Sequence, residues 1–124
     1  MPLIDNSTAQ SFTMPSVTLT PIAAPSRGAR ETALWRAVVA PHSEGVVRHM
    51  TREEIILAVA GEGVVRIGGE THPLRPGDAF ATPAFADFQL ECAGDVPFEA
   101  IVALPAGGRA VIGAGPSFAP PWSL

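Results

Sequence analysis

The chain has 124 residues, 47% of them hydrophobic and only 16% charged, with a net charge of −4. That length buries one core and not two, and this composition excludes an intrinsically disordered chain. The acidic balance argues against a nucleic-acid partner, and the single cysteine, Cys92, rules out an internal disulfide or a multi-cysteine zinc site.

The first residues, "MPLIDNSTAQ", lack the basic stretch and apolar run of a secretion signal. No segment approaches the roughly 18 apolar residues that span a bilayer, so a cytoplasmic protein without membrane contact is expected. Residues 1–28 are polar and carry prolines at positions 2, 15, 21 and 25. They read as an irregular, partly extended arm in which "SVTLTPI" forms an edge strand, where a proline is tolerated.

From Glu31 the pattern changes. "ETALWRAVVAP" is apolar and β-branched and stops at Pro41, which reads as a strand. "EEIILAVAG" and "GVVRIGGE" follow, with tight turns at Gly61–Gly63 and Gly68–Gly69. "THPLRPGDAFATPA" holds two short strands about a Pro-Gly-Asp turn, and "DFQLECAG" and "FEAIVALPAGG" supply two more. Strands recurring every 8–12 residues between turn residues predict an all-β barrel or sandwich, here of six to nine strands. Residues 29–112 form this barrel. The tail, residues 113–124, is too proline-rich for regular structure. Its Phe118 and Trp122 are expected to cover an apolar surface.

The segment from Arg52 to Ala84 resembles the cupin superfamily. Glu54, six residues and Gly61 fit the second half of the first cupin motif, and "PGDAFATPA" fits the start of the second. The resemblance covers roughly Leu34 to Leu104. It implies a double-stranded β-helix (jelly-roll) barrel, and a family that often forms homodimers.

In metal-binding cupins the first motif supplies two histidines and a glutamate, and the second another histidine. Such a set suits iron, manganese, zinc, nickel or copper. With three residues before Glu54, the histidine pair falls on Arg48 and Met50; with four, on Val47 and His49. The second-motif histidine falls on Phe88 and the terminal asparagine on Cys92. Because side chains alternate along a strand, the two registers are exclusive. In the first, Arg48 faces the cavity and His49 points away. In the second, His49 and Glu54 share it.

The resemblance thus implies a small-molecule-binding barrel without a tightly held metal. Glu54 and His49 are the candidate acid–base groups, for isomerase or cyclase chemistry. Arg48, Met50, Phe88 and Phe80 are candidate ligand contacts. A guanidinium suits a carboxylate or phenolate, and a carboxylate buried in apolar surroundings has a raised pKa. The plainer reading of Glu54 is an ion pair with Arg48 or Arg52, and of His49 a rim histidine. A second alternative is a metal-dependent, dioxygenase-like enzyme holding one divalent ion (Fe, Zn, Mn or Ni) on His49, Glu54 and a loop residue, His42. A third is a non-catalytic dimerisation or sensing module. His72 reads as solvent-facing.

Overall fold

In a computed structural model, described for residues 3–124, twelve short strands build two antiparallel sheets. They are β1 (Phe12–Met14), β2 (Val17–Ala23), β3 (Thr32–Val39), β4 (Ser43–Glu44), β5 (Arg48–Met50) and β6 (Glu54–Ala60). The second half holds β7 (Gly63–Ile67), β8 (Glu70–Leu74), β9 (Ala79–Thr82), β10 (Phe88–Cys92), β11 (Phe98–Pro105) and β12 (Ala110–Ile112). The first sheet runs β1-β2-β3-β11-β6-β9 and the second β12-β5-β10-β7-β8, with β4 also on β10. This is the jelly roll. Among the described residues, no helix is long and apolar enough to cross a membrane.

Period-two burial explains why these segments are strands. In β3, Ala33, Trp35, Ala37 and Val39 are buried while their neighbours are not. In β11, Phe98, Ala100, Val102 and Leu104 do the same, and the two strands pair from Phe98↔Val39 to Pro105↔Thr32. The second sheet answers with Met50, Val65, Leu74, Phe88, Leu90, Cys92 and Ala110, closing one core between the sheets. At the β7–β8 hairpin, Gly68 and Gly69 adopt φ of 56° and 78°, the conformation that a two-residue hairpin turn requires.

The amino-terminal arm is more regular than its prolines suggest. "SVTLTPI" is not the sheet edge, because β1 pairs outside it. Pro21 is nevertheless accommodated, since β1 reaches only Val17 to Leu19, so β2 has a free edge again at the proline. A register shift follows between Pro21 and Ala23. The strand total also exceeds the expected six to nine, because β1, β4, β5 and β12 are two or three residues long.

The tail turns back onto the barrel. Phe118 bridges Ala110, and a short 3-10 turn forms over Pro121–Ser123. The Trp122 ring meets Trp35 edge-on at 6.5 Å and Phe12 at 6.1 Å.

Candidate functional site

A cavity of about 240 Å³ lies inside the barrel. Its walls come from the arm (Met14 to Leu19), β3, β5, β11 and the tail residues Phe118, Pro120 and Trp122. Most of this lining is apolar, and Arg48, Met50 and Glu54 sit on its surface.

The register of β5 decides which residues these are. Met50 pairs with Ala110 and Arg48 with Ile112 on one side, and Arg48 pairs with Phe88 on the other. Arg48 and Met50 therefore share the inner face with Phe88, whose ring is fully buried. Directly opposite residues lie close enough for side-chain contact, and the Arg48 guanidinium carbon stands 4.6 Å from the Phe88 ring centroid. Glu54 opens β6 on its inward face, opposite Thr82, and is 1% exposed.

Arg48 Nη2 is 3.8 Å from Glu54 Oε1, an ion-pair distance too long for a hydrogen bond. Oε1 is buried and has no hydrogen-bond partner. Burial pushes the Glu54 carboxyl above its ordinary value, and the nearby Arg48 charge pulls it back only in part. The apolar surroundings thus favour the protonated form of the Glu54 carboxyl, beside the Arg48 guanidinium.

The other candidates lie elsewhere. His49 occupies the opposite side of β5, where Nδ1 is 3.0 Å from Asp87 Oδ1 and the ring lies 6.2 Å from Phe85. It does not border the cavity, so the register that joined His49 to Glu54 is not the one adopted. His42 sits in a turn at φ 51°, with Nε2 2.6 Å from the exposed Asp95. Neither histidine is brought to Glu54, so the alternative ligand set His49, Glu54 and His42 is not assembled. His72 is solvent-facing on one side, with Nε2 3.1 Å from the exposed Glu70, while its ring lies 5.2 Å from Phe80. Phe80 thus packs beside His72 and is not part of the cavity wall. Phe88 faces inward with its ring face under the Arg48 guanidinium, and it does not border the cavity.

In the register adopted, the cupin resemblance would put the metal-ligand positions at Arg48, Met50, Glu54 and Phe88. A guanidinium has no free lone pair, a phenyl ring offers none, and a thioether is a weak donor to divalent ions. Glu54 alone is an ordinary ligand, and the positive charge beside it belongs to Arg48. The residues present do not fit a first-row transition-metal ion. Among the described residues, no cluster of three or more His, Cys, Asp or Glu could hold one.

A second hollow, of about 270 Å³, opens outside the barrel between Arg66, Glu70 and Asp87. Arg66 is already bound to Glu91 there, at 2.7 Å. The unpaired chemistry is in the interior.

Of the residues that the sequence offers as site candidates, Arg48, Met50 and Glu54 border this cavity; the arm and Trp35 also line it and were not among them. The alternation in "SVTLTPI" was the available signal for the arm. No curated protein matches the chain in sequence. Among solved structures, it is similar to the polyketide cyclase RemF from Streptomyces resistomycificus, with TM-score 0.80 and 16% identity, over 94% of this chain and 87% of that one. It is also similar to a salicylate 1,2-dioxygenase variant from Pseudoaminobacter salicylatoxidans in complex with gentisate (TM-score 0.72, 17% identity). That match covers 86% of this chain but only 31% of the dioxygenase. A cupin-like protein from Thermotoga maritima aligns at TM-score 0.71 and 18% identity, over 77% of this chain and 74% of that one. At these identities the likeness is one of fold. The sequence profile of the Cupin domain matches residues 35–104, more than half of the chain, and together with the jelly roll this makes the chain a member of the cupin family.

Proposed function

We propose that this cupin binds a small, largely apolar organic molecule in its barrel cavity, with Arg48 and Glu54 as the polar contacts and no tightly held transition metal. The observation that carries the reading is the buried Glu54 oxygen without a partner, on a residue that lines an apolar cavity of about 240 Å³. A bound molecule supplies the missing partner. Met50 and the tail aromatics supply apolar contact.

The same pair supports acid–base chemistry. A protonated Glu54 can give its proton to a carbonyl oxygen or enol carbon of the ligand, and Arg48 can stabilise an oxyanion. In an isomerisation or ring closure, the Glu54 carboxylate left by that donation takes up the proton lost from a ligand carbon, so the group returns to its starting state. The likeness in fold to a polyketide cyclase supports this class of reaction.

Both tryptophans, Trp35 and Trp122, border the cavity, so intrinsic fluorescence reports its occupancy. Untagged protein is expected to contain far less than one equivalent of iron, zinc, manganese or nickel per chain. It is also expected to change its emission on titration with flat bicyclic compounds. One equivalent of metal, lost on Glu54→Ala, would overturn the reading.

A further inference from the structure

Glu54 Oε1 and Trp122 Nε1 are the buried side-chain polar atoms without a hydrogen-bond partner among the described residues. Both belong to side chains that border the same cavity, although one opens β6 and the other lies in the tail. Folded proteins seldom leave such atoms unpaired, because the desolvation cost is not recovered. Two such atoms, on residues that line one cavity, point to a shared partner.

The chemistry of that partner follows from what the wall can offer. An indole N–H only donates, and so does a guanidinium. Burial favours the protonated form of the Glu54 carboxyl, and in that form its O–H also donates. Trp122 is held by its edge contacts with Trp35 and Phe12, and the chain end by the Ser26 hydroxyl donating to the Leu124 carbonyl. The N–H takes no part in fastening the tail.

We propose that Trp122 is a ligand-binding residue, whose indole N–H anchors one oxygen of a compact apolar molecule while Arg48 and Glu54 anchor another. The ligand class is a carbonyl-bearing ring compound with at least two acceptor oxygens. This deepens the reading of the cavity as a small-molecule site and rests on it.

The test uses the full chain and three probes on one bicyclic frame: N-methylphthalimide with two carbonyls, 1-indanone with one, and indane with none. Calorimetry or fluorescence titration should rank their affinities in that order. Trp122→Phe, which keeps an aromatic ring and removes the N–H, should weaken N-methylphthalimide binding about five- to tenfold, the worth of one hydrogen bond. Indane binding should change less than twofold. Replacing Trp122 with benzothienylalanine, which exchanges the N–H for sulfur at constant shape, should give the same split even if the phenylalanine variant folds poorly. Undiminished N-methylphthalimide binding in these variants overturns the proposal and leaves the cavity reading standing. An equal loss for indane and N-methylphthalimide shows mere packing and also overturns it. Failure of all three probes to bind the unmodified protein overturns both.

Discussion

At Glu54, burial and the Arg48 guanidinium pull in opposite directions. Burial dominates, so the folded-state pKa stands above the ordinary 4.5. The folded chain then holds this proton more tightly than the unfolded chain does. The associated stability is complete below the unfolded value and is lost as pH rises through the folded one. Thermal melts across a pH series should therefore show stability falling above pH 4.5, with that component absent in Glu54→Gln. Relative to the unmodified chain, the variant should gain stability as pH rises above 4.5. Parallel pH profiles for the two proteins would refute the assignment. Arg48→Met removes the opposing charge, so the folded-state pKa climbs further. Its loss of stability should extend to higher pH than in the unmodified chain, and a window that narrows instead would contradict the ion-pair geometry.

Strand pairing raises a different constraint at Gly63. It begins β7 opposite Cys92, and a Cβ built there would lie 2.4 Å from the ring carbons of Phe98. Phe98 is fully buried between the sheets, so the ring has no space into which to retreat. Gly63→Ala should cost about 1–3 kcal/mol, the usual penalty of overpacking, and lower the melting temperature by several degrees. An unchanged melt would mean that the two sheets separate more easily here than their packing implies. Elements of this kind were legible in the sequence, because β3, β6, β10 and β11 carry their alternation or their flanking turns within one short window. The register of β5 was not legible. Three residues fit either face equally well, and the choice is made by distant partners: Phe88 on β10, and Ala110 and Ile112 on β12. The same limit applies to aromatic side chains. Composition marks Phe80 and Phe88 as apolar, but only the fold places one beside His72 and the other under Arg48.

The cavity is a property of the whole molecule, since its walls come from segments more than 100 residues apart, from Met14 to Trp122. Sheet pairing fixes most of them, whereas the tail is attached through the Ala110–Phe118 bridge, the aromatic contacts of Trp122 and the Ser26 link to the chain end. Deleting residues 118–124 should therefore leave the jelly roll folded while opening one wall. Phe118 and Trp122 are each half-buried, so their loss should cost about 2–4 kcal/mol in all. Trp35, 3% exposed in the intact chain, should become hydrated, and its emission should shift to longer wavelength. Melting and fluorescence together check this, and a truncated protein with the same midpoint and the same emission would show that the tail does not close the cavity. Comparison with Trp122→Phe then separates two roles of one residue. The truncation removes wall and donor together and should weaken binding of every bicyclic probe. The substitution keeps most of the wall, so its effect should be confined to probes that carry an oxygen for the indole N–H.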